Sequence, residues 1–173
     1  MNILALFKKI TTFVFDVDGV LTDGNLLVMP DGLMVRRMNI KDGYALQLAV
    51  KRGYNVFVIS GGKSPEVKER LNKLGITQMW TQVEDKKILL ENIVREKNLQ
   101  QSELLFMGDD IPDYDVMNYS GLPCCPADAA VEIKQISKYI SPLPGGNGCA
   151  RDVIEKVMKL RGDWTKDTHI KSQ

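Results

Sequence analysis

The sequence predicts an α/β fold: a doubly wound, mostly parallel sheet with a β-hairpin inserted early, in a single domain spanning residues 1–173. Short apolar, β-branched runs alternate four or five times with segments of helical periodicity, the signature of βαβ units. Gly or Pro punctuates most of the junctions between them. The spacers are also too short to hold another folded unit.

Thr12 to Val17 (TFVFDV) reads as a buried strand. Asn25–Met29 and Leu33–Met38 flank the turn signal Pro30-Asp31-Gly32 and read as a hairpin. From Asp42, Tyr44, Ala45, Leu48 and Ala49 follow helical spacing until Gly53. Asn55 to Ser60 (NVFVIS) is a second buried strand, and Ser64-Pro65 opens a helix, with Ser64 as its N-cap, that Gly75 stops. Gln78–Thr81 is a short strand. Asp85–Lys97 carries an apolar stripe of Ile88, Leu89, Ile93 and Val94. Glu103–Met107 is a strand, Asp113–Tyr119 a short helix, Leu122–Cys125 a strand and Ala129–Ile136 a helix. Tyr139–Ser141 is a weak last strand, and Gly148–Leu160 is the terminal helix. The polar tail from Arg161 to Gln173 is expected to fray. The whole pattern is Rossmann-like, with the ligand expected at the carboxyl ends of the strands.

Composition narrows the function classes. Of 173 residues, 44% are hydrophobic and 26% charged, with 23 Lys plus Arg against 22 Asp plus Glu. Such a balance argues against a disordered chain and against a basic nucleic-acid binder. No apolar run approaches the roughly 18 residues of a membrane span, and the start lacks the pattern of a signal peptide. Cys124, Cys125 and Cys149 are too few and too unevenly spaced for a disulfide framework, so a reducing cytoplasm is expected. His169 is the only histidine and sits in the polar tail. A His-based triad or zinc site is thereby set aside, and the chemistry falls to carboxylates, Ser/Thr, Lys or backbone groups.

The acids are skewed: 14 are Asp, and seven of these lie in two windows, Asp16, Asp18 and Asp23, then Asp109, Asp110, Asp113 and Asp115. On the predicted sheet, Asp16 and Asp18 end the first strand, Ser60 ends the second, and Asp109 and Asp110 follow the fourth. Lys86 starts the helix after the third. Each is unremarkable alone, since Asp at a strand end is commonly a turn residue and Lys at a helix start is commonly solvated. Together they converge on one sheet edge. Carboxylates gathered there repel unless a cation compensates, and hard oxygen ligands favour Mg²⁺. A phosphate monoester suits such a site, with Ser60 and backbone N–H groups donating to its oxygens and Lys86 adding charge. Asp16 could attack phosphorus and Asp18 could serve as acid and base. A calcium loop in DVDGVLTDG is set aside because the twelfth position from Asp16 is Leu27, not Glu. A phospho-acceptor receiver is set aside because Thr81-Gln82-Val83, at the third strand's end, offers no Asp.

FDVDGVLTDG (15–24), VISGG (58–62), Lys86 and MGDDIPD (107–113) resemble, in this order, the haloacid dehalogenase-like phosphatases. The resemblance implies Asp16 as nucleophile and Asp18 as acid/base. It implies Mg²⁺ on the Asp16 carboxylate, the Asp18 carbonyl and Asp109, with Asp110 nearby or linked through water. Ser60, with Gly61, and Lys86 would bind the phosphoryl group, and Asp113 would orient Lys86. NIKDGYA (39–45), LGIT (74–77), GDDIPDYDVM (108–117) and GGNGCARD (145–152) narrow the likeness to the capless members acting on keto-deoxy sugar-acid phosphates. That implies an eight-carbon acid of lipopolysaccharide synthesis, with a nine-carbon acid as the alternative. Gly62-Lys63 departs from the pattern, which often has Arg after the second motif's glycine.

Spacing agrees with the capless form. Only 41 residues separate Asp18 from Ser60 and 22 separate Lys86 from Asp109, and the predicted elements use them up. The apolar hairpin (Leu26, Leu27, Val28, Met29, Leu33, Met34, Val35) is therefore expected to pack on neighbouring subunits of a homotetramer that lid one another's sites. Arg36, Arg37, Lys63, Lys68, Arg70 and Arg151 are candidate partners for a substrate carboxylate, Arg151 foremost.

Overall fold

The computed structural model describes residues 2–170. Six strands form a parallel sheet: β1 (Thr12–Phe15), β4 (Asn55–Ile59), β5 (Gln78–Trp80), β6 (Leu104–Met107), β7 (Leu122–Cys125) and β8 (Tyr139–Ile140), in the order β5-β4-β1-β6-β7-β8. Phe15 pairs with Val58 on one side and with Met107 on the other. The chain runs outward from β1 through β4 and β5, then returns to β6 and runs outward the other way. That reversal beside β1 is a topological switch point, where the strand ends splay and leave room for a ligand.

Helices α2 (Ile40–Lys51), α3 (Pro65–Lys73), α4 (Lys86–Glu96), α5 (Tyr114–Tyr119), α6 (Val131–Ile136) and α7 (Cys149–Arg161) make the crossovers and cover both faces. Strand alternation assigns the faces. Phe13, Phe15, Val56, Val58, Leu105 and Met107 pack with Ala45 and Leu48 of α2, Leu71 of α3, and Val153 and Val157 of α7. Val14, Phe57, Ile59, Leu104 and Phe106 meet Leu90 and Ile93 of α4, Met117 of α5 and Ile133 of α6. The four inner strands, β4, β1, β6 and β7, carry side chains buried on both faces, as a covered parallel sheet requires, while the edge strands β5 and β8 are only partly covered.

The strands and helices expected from sequence are all present, with ends shifted by a residue or two. The hairpin is shorter than expected: only β2 (Leu27–Val28) and β3 (Met34–Val35) pair, antiparallel. Its apolar side chains stay out of the core, with Leu27 63% and Val28 66% exposed. Ser64 stands at the N-cap of α3, yet its side chain makes no capping bond there, and Pro65 alone sets the helix start.

Two features depart from the sequence reading. A helix, α1 (Ile3–Lys9), precedes β1, capped by Asn2 and anchored by buried Phe7. The tail is packed rather than frayed over residues 161–170, and its last three residues, 171–173, lie outside the described residues. Tyr54 donates to Asp163 at 2.5 Å, Lys51 pairs with Asp167 at 2.5 Å, and Trp164 meets Tyr44 edge-on. Trp164 and Ile170 give this polar stretch two apolar anchors, which local composition does not weigh.

The NIKDGYA block is architectural. Asn39 caps α2. Asp42, 2% exposed, accepts N–H bonds from Gly148 at 3.1 Å and Arg151 at 2.7 Å, capping α7 from another helix. Burial raises the Asp42 carboxyl above its ordinary range, and these two N–H groups oppose that. No helix among the described residues is long and apolar enough to cross a membrane.

Candidate active site

β1 ends at Phe15, and the next residues wind into a wide turn closed by Thr22 N–H donating to the Val17 carbonyl at 3.0 Å. The turn directs Asp16 and Asp18 into a cleft of about 340 Å³. It also brings Gly19 against the next acidic segment. A Cβ at Gly19 would sit 1.9 Å from Asp109 Oδ2, and its φ of +78° lies where side chains are strained. Only glycine lets the two acidic windows approach this closely, with Gly19 and Asp109 90 positions apart in the chain.

Ser60, Gly61, Lys86, Asp109, Asp110 and Asp113 line the same cleft. The convergence expected at one sheet edge is found for Asp16, Asp18, Ser60, Lys86, Asp109 and Asp110. Lys86, 6% exposed, bridges Asp16 Oδ1 at 3.0 Å and Asp113 Oδ1 at 2.7 Å. Asp113 Oδ2 accepts the Asp109 N–H at 3.1 Å, so this carboxylate holds both the ammonium and the loop after β6. Asp16 Oδ1 also accepts the Val17 N–H at 2.7 Å. Ser60 Oγ accepts the Gly62 N–H at 3.1 Å, shaping the loop after β4.

The electrostatics are unbalanced. Burial, then the Asp113 charge, pushes Asp16 up to about 8 against the pull of Lys86. Burial, then Asp113 and Asp110, pushes Asp109 up to about 7. Burial disfavours the Lys86 ammonium, but Asp16 and Asp113 outweigh it and hold Lys86 above its ordinary value. One ammonium thus faces three clustered carboxylates. Asp16, Asp109 and Asp113 each offer an oxygen within 4.8 Å of the others, an all-oxygen set that suits a hard divalent cation. Asp110 lines the cleft but stands outside that cluster, exposed to solvent.

Arg151 is not brought to this cleft. Its guanidinium lies 5.7 Å from the Tyr44 ring and 5.5 Å from the Trp164 ring, and its Nε donates to Glu155 at 3.2 Å. It borders a separate shallow depression with Lys41, Lys156 and Lys159. The sequence reading instead overlooked the role of Arg36 as a partner of Asp18. Arg36 Nε and Nη2 donate to Asp18 Oδ1 and Oδ2 at 2.6 and 3.2 Å. No local signal marks that pair, because it depends on how the hairpin folds back.

Known proteins resemble this chain over most of its length. The family model of haloacid dehalogenase-like hydrolases matches residues 82–151. The crystal structure of a probable YrbI family phosphatase from Pseudomonas syringae pv. phaseolica superposes with a TM-score of 0.90. It is 34% identical and covers 92% of this chain and 91% of that one. The chain belongs to the haloacid dehalogenase-like hydrolases and is a phosphatase of that family.

Within the family its likeness is narrower. The 3-deoxy-D-manno-octulosonate 8-phosphate phosphatase KdsC of Escherichia coli K12 is 29% identical over 161 residues, 93% of this chain and 86% of that protein. The crystal structure of 3-deoxy-D-manno-octulosonate 8-phosphate phosphatase from Moraxella catarrhalis, in complex with a magnesium ion, a phosphate ion and KDO, has a TM-score of 0.90. It is 28% identical and covers 93% of this chain and 92% of that one.

Proposed function

We propose that this chain hydrolyses 3-deoxy-D-manno-octulosonate 8-phosphate through an aspartyl-phosphate on Asp16. The observation that carries this reading is the buried Asp16–Lys86–Asp113 chain, set beside Asp109 and facing the Ser60 loop across one cleft. Likeness to the phosphatases of that sugar acid supports the substrate.

In the first step an Asp16 oxygen forms a bond to phosphorus while the P–O bond to the sugar breaks. The electron pair leaves on the sugar oxygen, which takes a proton from Asp18. In the second step Asp18 takes a proton from water, whose oxygen displaces Asp16 from phosphorus and releases phosphate. Ser60 Oγ–H and the Gly61 N–H donate to phosphoryl oxygens, and Lys86 adds positive charge where negative charge builds. Asp113 holds the ammonium toward Asp16. Asp16, the Asp18 carbonyl and Asp109, with Asp110 alongside, would hold Mg²⁺. That ion would supply charge neutralisation and a clamp for phosphate oxygens.

The reading includes assembly and compartment. Seven exposed apolar side chains on the hairpin favour a homotetramer in which neighbours shield the clefts. Three buried free cysteines suit a reducing cytoplasm.

The test is phosphate release from 3-deoxy-D-manno-octulosonate 8-phosphate and from a nine-carbon keto-deoxy acid 9-phosphate, side by side, with Mg²⁺ and with chelator. The expected result is a higher kcat/KM on the eight-carbon ester, dependence on Mg²⁺ and no turnover by Asp16→Asn. Preference for the nine-carbon ester would overturn the substrate, and full activity of Asp16→Asn would overturn the nucleophile.

A further inference from the structure

The hairpin is tied to the catalytic turn by two arginines in succession. Arg37 Nε and Nη2 both donate to Asp23 Oδ2, at 3.0 and 2.6 Å, from a side chain 83% exposed onto a carboxylate 14% exposed. Arg36 grips Asp18 with a two-point fork, and its own side chain is only 8% exposed while that of Asp18 is 39% exposed. Arg36 Nη1 also reaches back to the Met34 carbonyl at 3.3 Å, fixing the guanidinium plane against β3. The two pairs differ in geometry: Arg36 engages both oxygens of Asp18, whereas Arg37 places both nitrogens on one oxygen of Asp23. A two-oxygen fork from a buried guanidinium restricts where a carboxylate points more than a one-oxygen contact from an exposed one does.

The loop after β4 leaves room for this fork. A Cβ on Gly62 would lie 3.4 Å from Arg36 Nη2, 3.4 Å from Asp18 Oδ2 and 3.6 Å from Ser60 Oγ. The Arg36–Asp18 pair thus rests directly on the Ser60-Gly61-Gly62 turn. Residues 60–63 contain no arginine, and the guanidinium at this place comes from the hairpin instead. A short Asp side chain on an open turn has several rotamers. Arg36 selects the one in which Asp18 lines the cleft.

We propose that Arg36 is the positioning residue of the acid/base group, fixing the Asp18 carboxylate and thereby coupling the exposed hairpin to the chemical step. This rests on the phosphatase reading above. In that reading Asp18 carries its proton on Oδ2, the oxygen on the longer 3.2 Å contact, and gives it to the departing sugar oxygen while Oδ1 stays on Arg36 Nε, so loss of Arg36 should hurt poor leaving groups most. A p-nitrophenolate leaves as a stable anion and needs no such proton.

The experiment compares kcat/KM on a sugar phosphate and on p-nitrophenyl phosphate for wild type, Arg36→Met, Arg36→Lys, Asp18→Asn and the double variant Arg36→Met/Asp18→Asn. Circular dichroism checks that each is folded. For Arg36→Met, the sugar-to-aryl ratio of kcat/KM should fall about tenfold or more, a part of the roughly 10²–10⁴-fold that a general acid contributes. Arg36→Lys, which cannot fork, should fall between. The double variant should be no worse than Asp18→Asn alone, because two residues acting as a unit are not additive. Asp23→Asn, which opens only the outer pair, should leave the ratio where it is in wild type.

An unchanged or raised ratio in Arg36→Met overturns the proposal, as does a double variant whose losses multiply, since a merely structural arginine would give either. If wild type releases phosphate from neither ester, the phosphatase reading itself falls and takes the inference with it.

Discussion

Replacing Lys86 with Met probes the site most directly. The substitution keeps the aliphatic stem in its buried channel and removes the ammonium that touches Asp16 at 3.0 Å and Asp113 at 2.7 Å. Breaking a buried ion pair by deleting one partner costs about 3–5 kcal/mol, because the remaining charge has no compensation. The pH dependence fixes the sign. Asp16 is raised from 3.8 to about 8 in the folded protein, so the fold binds that proton more tightly than the unfolded chain does. Its contribution is fully present below about pH 4 and is lost as the pH rises through about 8. Lys86 is raised too, so its contribution is present below its unfolded value and persists at pH 8 in the wild type. Without Lys86 only the Val17 N–H favours the Asp16 carboxylate, against burial and the Asp113 charge. The deficit of Lys86→Met should therefore be smaller at pH 5 than at pH 8, where Asp16 begins to ionise in the wild type and to gain the ammonium as its partner. Urea unfolding in chelator at the two pH values reads this, and phosphate release with Mg²⁺ should show kcat down about 10²–10³-fold. Equal stability of the two proteins at pH 8, or a deficit independent of pH, would refute the reasoning.

Asp42→Ala should lower unfolding stability by about 2 kcal/mol in urea titration, since two N–H groups at the start of α7 lose a carboxylate partner. Gly19→Ala should abolish phosphate release with any metal supplied, because its methyl would occupy the space of the Asp109 carboxylate, 1.9 Å away. Leu27→Asp with Val28→Asp should shift sedimentation toward monomer and reduce kcat/KM without lowering monomer melting temperature, since neither side chain joins the core. A tetramer that survives these charges would place the subunit interface elsewhere.

The legible parts of this protein were those in which one local pattern has one physical outcome. TFVF, NVFVI and LLFM are too short and too continuously apolar for anything but covered strands. Pro65 at a helix start, and Gly at 53 and 75, stop and start helices by backbone restriction alone. The acidic windows could be placed at strand ends by counting. α1 was missed because seven residues with one buried anchor, Phe7, carry little periodic signal. The packed tail was missed because Trp164 and Ile170 act singly, far from the α2 residues they meet. Arg151 was a candidate for the substrate carboxylate because of its guanidinium, but it faces Tyr44 and Trp164 because Asp42 fixes the start of its helix.

What the sequence by itself determined is the α/β alternation, the capless spacing and the set of groups able to do phosphoryl chemistry. These follow from periodicity and residue type, which act over a few positions. Tertiary structure alone decided the partners: Lys86 between Asp16 and Asp113, Asp109 against Gly19, and Arg36 on Asp18. Hydrogen bonds and ion pairs form only within about 3 Å. Which distant residues come within that reach depends on the sheet order and on the fold-back of one short hairpin.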